Sequence, residues 1–436
     1  MRIRIENGTV VDPLQNLETK QTVFIEDSTI KAVLLPEELS QAPFSKEQAD
    51  LLYDASGQII CPGFVDMHVH FRDPGQEYKE TIETGCKAAA HGGFTDVCCM
   101  PNTTPVNDQP EITQYIINKA KSLSSTRVYP VAAISPGSQG KGLTEMGLLL
   151  KAGACGFSDD GHPVSDPQLM RRAMEYARSF DSLIISHCED LKLVANGVMN
   201  EGIISTRLGL AGIPNASESI MVMRDIALCE LTGARLHIAH VSTSQSVEAI
   251  KQAKDKGLPV TAETAPHYFT LTDSSVLEYD THAKMNPPLR SKFDREAICQ
   301  GLASGIIDVI ATDHAPHDVL EKDVPFDEAA NGIIGLETAV PLTLKLVHEK
   351  VLTLGQVIEK FSINPLNILK LPPKKIAGGY PADLTIIDIA AEYTISAKKF
   401  QSKSRNTPFN DWPCRGKVMA TIVNGQIVYQ AGSVSD

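Results

Sequence analysis

The sequence predicts an α/β chain: a (β/α)8 TIM-like barrel with a small β-sandwich formed by the N- and C-terminal segments. Three observations predict it. Short apolar, β-branched runs recur through the middle of the chain, each followed by a polar turn and an amphipathic stretch. Eight such runs can be counted, the number that closes a barrel. Several end in a histidine or an aspartate, and barrels of this kind carry their chemistry at the C-terminal ends of the strands.

The flanks come first. The opening Met-Arg-Ile-Arg-Ile-Glu-Asn-Gly alternates as a strand does, and turns are expected at Glu6-Asn7-Gly8 and Glu26-Asp27-Ser28. The eight central runs are residues 59–66, 95–100, 127–134, 154–158, 183–186, 236–239, 259–262 and 308–311. Helical periodicity falls at 111–123, 167–180, 218–232, 244–256 and 294–304. Near the C-terminus, Asn424-Gly425 sits between two apolar runs, the strongest short-range hairpin signal. The expected division is 62–370 for a metal-dependent barrel, with 1–61 and 371–436 as the sandwich. An open doubly wound sheet is the competing fold, but no Gly-rich phosphate loop follows a strand.

Composition excludes several function classes. Lys and Arg number 40 against 53 Asp and Glu, a net charge of −13 with no basic stripe, so nucleic acid is not an expected partner. No run is long and apolar enough to span a bilayer, and the start lacks the apolar core of a signal peptide. The nine cysteines form no Cys-x-x-Cys pair, and their odd number argues against a full disulfide framework. A cytoplasmic protein acting on a small molecule is the expectation.

His68 and His70 are the most informative residues. Two positions apart at a strand end, they point the same way and can share one ion. His187 and His240 each close a run, as does Asp313, and the fourth run ends in Ser-Asp-Asp-Gly (158–161). Any one of these alone would read as a satisfied buried histidine or a capping carboxylate. Their shared placement at five strand ends overturns that reading. A catalytic zinc takes three protein ligands and a water, so four histidines and two carboxylates suit two ions sharing a hydroxide. Asp313 beside that water can accept its proton and return it.

Four segments then resemble a known family: Pro-Gly-Phe-Val-Asp-Met-His-Val-His-Phe-Arg-Asp-Pro-Gly (62–75), Met-Pro-Asn-Thr (100–103), Lys-Met-Asn-Pro-Pro-Leu-Arg (284–290) and Ala-Thr-Asp-His-Ala-Pro-His (311–317). They are similar to the dihydroorotases of the amidohydrolase superfamily. The resemblance implies interconversion of N-carbamoyl-L-aspartate and L-dihydroorotate on a metal-bearing barrel with one or two Zn²⁺ ions. It implies His68 and His70 on one metal, His187 and His240 on the other, and Asp313 as ligand and general acid/base. Many relatives bridge the metals with a carboxylated lysine; the fourth run has none, as in a bacterial subgroup that uses aspartate. Asp160 is the expected bridge and Asp159 its rival, adjacent strand residues facing opposite ways. Arg72 is expected to grip a substrate carboxylate, with Asn102, Asn286 and His317 adding hydrogen bonds; Asn102 can equally serve a turn. Lys284 and Arg290 read as structural, as does His267.

Allantoinases and dihydropyrimidinases also open cyclic amides, but Arg72 and the missing lysine speak against them. A non-catalytic partner of aspartate transcarbamoylase would typically lack the metal histidines, which this chain keeps. Homo-oligomerisation and association with that transferase both stay open for an active chain.

Overall fold

The computed structural model describes residues 1–123 and 125–432 and is an α/β molecule. Phe64–Val69, Phe94–Cys99 and Arg127–Pro130 form one parallel sheet. Leu183–Ser186, Arg235–Ile238, Val260–Thr264 and Val309–Ile310 form another. Phe157 joins them through parallel bridges to Ala132 and Ile184. Val69 bridges His314, so the pairings return to the first strand of the circuit. Helices alternate with these strands and bury one face against them. In Pro167–Ser179 the buried side chains are Met170, Ala173, Met174 and Ala177, one stripe at helical spacing. Asp166 caps that helix by accepting from the amides of Gln168 and Leu169, a contact worth about 1 kcal/mol.

The expected helices are present within two residues of their predicted ends, as Pro110–Ser122, Pro167–Ser179, Ala216–Thr232, Ser244–Asp255 and Lys292–Ala303. Two of the expected runs need correction. The run at 59–66 is two strands. Ile59–Pro62 pairs with Leu384–Ile387 in a different sheet, and Phe64–Val69 starts the circuit. Gly63 lies between them, where a Cβ would come within 2.5 Å of the Thr95 side chain. Both halves are wholly buried, so hydrophobic patterning runs straight through the break. The run at 154–158 forms no strand of its own; Phe157 alone pairs.

The terminal segments share their sheets. A six-stranded sheet runs Gln426–Gln430, Pro413–Val423, Leu384–Thr394, Ile59–Pro62, Thr9–Asp12, Leu17–Lys20. A four-stranded sheet runs Thr29–Leu34, Thr22–Glu26, Arg2–Glu6, Leu51–Asp54. Ile3, Ile5, Val23 and Ile25 of the second meet Val10, Ile60, Ile386 and Ile422 of the first in one apolar cluster. Burying each such side chain stabilises by roughly 1.5–3 kcal/mol. The turn at 26–28 does make a hairpin, whereas Glu6-Asn7-Gly8 passes the chain from one sheet to the other. Asn424 and Gly425 adopt φ of 49° and 72°, as a two-residue hairpin requires. Among the described residues no helix is long and apolar enough to cross a membrane, and the nine cysteines are free.

Candidate metal centre

The site lies where the parallel strands end. His68 occupies the last turn of the Phe64–Val69 pleat and His70 follows it on the same side, their rings 5.2 Å apart. Asp66 secures this end. Its Oδ1 accepts from the backbone amides of His68 at 3.0 Å and Thr312 at 3.1 Å, tying the first strand to the last. The His70 amide adds a bond to the His314 carbonyl at 2.9 Å. Three site residues have left-handed backbone: Arg72 at φ 61°, His240 at 31° and Asp313 at 48°. Such strain costs about 1–3 kcal/mol per residue and is held where surrounding contacts over-determine it.

Asp160 is the hub. Its Oδ1 lies 3.4 Å from His68 Nε2, 3.5 Å from His187 Nδ1 and 3.6 Å from His240 Nε2. Its Oδ2 lies 3.5 Å from His70 Nε2. Donor atoms of His68, His70 and Asp160 form one compact group, and those of Asp160, His187 and His240 a second. Ligand atoms about 2.0–2.2 Å from a tetrahedral ion stand roughly 3.3–3.6 Å apart, which these spacings match. Among the described residues, His68 Nε2 and Asp160 Oδ1 are buried without a hydrogen-bond partner, a costly state in a dry interior that a cation between them relieves. The donor set therefore suits a metal ion. His187 Nδ1 and His240 Nε2 also face each other, 2.7 Å apart.

Asp159 points elsewhere. Its carboxylate accepts from the amides of Ile134 at 2.8 Å and Ser135 at 3.0 Å and from the Ser135 hydroxyl. Asp313 Oδ1 lies 3.1 Å from His70 Nε2 and 3.6 Å from His68 Nε2. Burial works to raise the Asp313 carboxyl; the hydrogen bond from His70 and the nearby imidazoles outweigh it and hold it at about 2. Asp160 is likewise held well below its ordinary range against burial, chiefly by the charge of His68.

The remaining candidates divide. Arg72 is buried, and its Nε donates to the Pro316 carbonyl at 3.3 Å. Among the described residues no carboxylate lies within ion-pair distance of it. Asn102 turns its Oδ1 to His70 Nδ1 at 2.8 Å, so its oxygen is committed behind a histidine. Asn286 lies beside Glu189 and helps hold its carboxyl below the ordinary range, and Glu189 Oε2 in turn meets His187 Nε2 at 3.2 Å. His317 has both ring nitrogens against the neighbouring loop, Nε2 on the Asn331 carbonyl at 2.8 Å and Nδ1 3.3 Å from Glu321. His267 is buried beside the centre, its Nε2 without a hydrogen-bond partner among the described residues, and burial lowers it to about 4. Arg290 bonds Ser242, Asn200 and Ile213, and Lys284 the Asp327 carbonyl, both structural contacts. Sequence reasoning passed over Asp66, Glu189, His237 and Glu263. The available signal was polar side chains inside or just beyond short apolar runs, where an unpaired charge would be costly.

Known proteins share this arrangement of sequence and fold. A family model described as Dihydro-orotase-like matches residues 57–246. A curated relative named Dihydroorotase, from Syntrophotalea carbinolica, is 54% identical over 430 residues, covering 99% of each chain. Another of that name, from Syntrophus aciditrophicus, is 50% identical over 430 residues, 99% of this chain and 100% of its own. Among solved structures, the L-hydantoinase (dihydropyrimidinase) from Arthrobacter aurescens has a TM-score of 0.87 at 25% identity, covering 99% of this chain and 97% of the other. The dihydropyrimidinase from Brevibacillus agri has a TM-score of 0.81 at 22% identity, covering 99% and 95%, and bears on the fold alone.

Proposed function

This chain belongs to the dihydroorotase family, and from that premise we propose that it catalyses the reversible cyclisation of N-carbamoyl-L-aspartate to L-dihydroorotate in pyrimidine synthesis. The circuit of parallel pairings supports reading residues 62–370 as a (β/α)8 barrel, with 1–61 and 371–436 as its β-sandwich. His68, His70 and Asp160 would hold one Zn²⁺ and Asp160, His187 and His240 a second, with Asp313 at their edge. When bound, zinc supplies Lewis acidity toward a carbonyl oxygen and lowers the pKa of water to about 7.

The protein's own groups do the rest. Arg72 binds the substrate carboxylate with a guanidinium fork that, among the described residues, makes one hydrogen bond. Asn102, whose oxygen is taken by His70, offers its amide Nδ2, and Asn286 sits beside Glu189 at the same mouth. Asp313 takes a proton from the attacking water and delivers it to the leaving ring nitrogen; ring closure runs the transfer backwards. His317 would join the substrate shell only by releasing the Asn331 carbonyl.

The observation that carries this reading is Arg72: a buried guanidinium that, among the described residues, meets no carboxylate at ion-pair distance, two residues beyond a metal-competent histidine pair. Burial opposes the Arg72 charge and Asp313, Asp160 and Glu321 support it only from beyond contact, so an anionic substrate bound directly to the guanidinium is favoured. Turnover of dihydroorotate, dihydrouracil and allantoin should be compared with and without chelator. Dihydroorotate should dominate, chelation should abolish turnover and Zn²⁺ restore it; equal turnover of dihydrouracil would favour a dihydropyrimidinase instead. A cytoplasmic setting belongs to the same reading. Self-association and complex formation with aspartate transcarbamoylase are testable by size-exclusion chromatography.

A further inference from the structure

Behind His68, away from the proposed metals, lies a hydrogen-bonded chain that none of the proposed chemistry uses. His68 Nδ1 is 2.7 Å from Glu263 Oε1. Glu263 Oε2 is 3.1 Å from His237 Nε2, and His237 Nδ1 is 2.8 Å from Thr261 Oγ1. Glu263 and Thr261 come from Val260–Thr264, His237 from the neighbouring Arg235–Ile238, and His68 from across the circuit. Glu263, His237 and His68 are fully buried.

The chemistry of the groups sets every proton. A carboxylate only accepts, so both imidazoles must present N–H to Glu263. In its neutral form His68 then carries its proton on Nδ1, which leaves the Nε2 lone pair directed at Asp160. Neutral His237 carries its proton on Nε2, and its Nδ1 accepts from the Thr261 hydroxyl. The Thr261 hydroxyl also reaches the Leu236 carbonyl, at a longer 3.4 Å. Removal of Glu263 would free His68 to take the opposite tautomer or to rotate.

We infer that Glu263, steadied by His237 and Thr261, is a positioning residue that fixes the tautomer and ring orientation of His68 for metal binding. Histidine ligands commonly donate their second ring N–H to a carboxylate, and loss of that partner weakens metal binding about 10–100-fold. Glu263 is the strongest such partner in the centre. His70 has the neutral oxygen of Asn102 and His187 a longer contact to Glu189. The inference rests on the proposed metal site but concerns only one half of it.

The test is competition for Zn²⁺ between the metal-free full-length protein and a chromophoric chelator. Glu263→Gln keeps the shape of the side chain and removes its charge. Of the two binding steps, one should weaken tenfold or more, that of the site containing His68, while the other changes by less than threefold. The metal-free melting temperature should stay within a few degrees of the parent. Should Glu263→Gln not fold, Glu263→Asp keeps the charge for His237 but falls short of His68, and the same step should weaken. Unchanged binding in the variant, or equal loss at both steps, would overturn the inference while leaving the metal site intact. A parent protein that binds no Zn²⁺ would instead remove the metal reading and this inference with it.

Discussion

The two ends of the parallel strands both bury charge, and they treat it differently. At the N-terminal end, Asp96 is met by Arg127 at 2.7 Å and by the Lys374 ammonium. Arg127 continues to Asp383 and Asn424, and Lys374 to the Thr95 hydroxyl at 2.6 Å and the Gly63 carbonyl at 3.3 Å. Burial opposes ionisation of Asp96, but the charges of Lys374 and Arg127 prevail and hold it far below the carboxylate range. Every charge there is answered inside the protein, by residues of the strands and of the C-terminal segment. At the opposite end, among the described residues, His68 Nε2 and Asp160 Oδ1 have no hydrogen-bond partner and the Arg72 guanidinium donates one hydrogen bond. The first pattern holds the structure together; the second leaves capacity for something the protein binds.

The sharpest way to break this contrast is to separate activity from stability. Asp313→Asn cannot carry a proton, so kcat/KM should fall about a thousandfold in both directions. Denaturation by urea should show only the smaller loss that the His70 contact contributes, about 2 kcal/mol. Retained turnover in metal-loaded Asp313→Asn would end its role as the proton carrier.

Asp96→Asn should do the reverse. Breaking a buried pair by removing one partner costs about 3–5 kcal/mol, because Arg127 and Lys374 are left with charge uncompensated. Stability measured in urea should drop by that order while kcat and KM of the folded protein stay near the parent values. A matching loss of kcat would mean that the two ends are not separable.

A smaller effect is expected at Arg72. A hydrogen bond to a charged group contributes about 1.5–3 kcal/mol, so Arg72→Ala should lower kcat/KM for dihydroorotate tenfold or more. Dihydrouracil has no carboxylate, and its slow turnover should be unaffected. An equal loss on both substrates would point to a structural arginine.

The smallest effect tests a residue that lies at the functional end yet behaves like those at the other. Lys322 is buried at the end of the short helix Val319–Lys322 that follows the last strand, with Nζ against the carbonyls of Thr281, Lys284 and Ala330. Burial lowers it to about 7, helped by the charge of Lys284. The unfolded lysine titrates near 10.4, so between about pH 7 and 10 the unfolded chain binds a proton that the folded chain does not. Stability should therefore rise with pH through that window, by up to about 1.4 kcal/mol per unit from this group. Lys322→Met should flatten the rise between pH 7.5 and 9, and an unchanged slope would assign it to other groups.

Local patterning was enough to mark much of this. Helix spans such as Pro167–Ser179 follow from the period of apolar residues, which neighbouring positions carry by themselves. His68 and His70 stood out because strand alternation puts positions two apart on one side, and the quoted motifs were enough to point to the family. Tertiary structure decided what depends on distant partners. It split the run at 59–66, since Ile59–Pro62 and Phe64–Val69 are equally buried and differ only in which sheet they join. It turned Asp160 toward the histidines and Asp159 toward Ile134 and Ser135, a choice that spacing left open. It committed the oxygen of Asn102 to His70 and the ring of His317 to Asn331. It also brought Glu263 to His68 across 195 positions of sequence. Patterning reports whether a side chain is buried; which atom it meets there is fixed by how the strands close on one another.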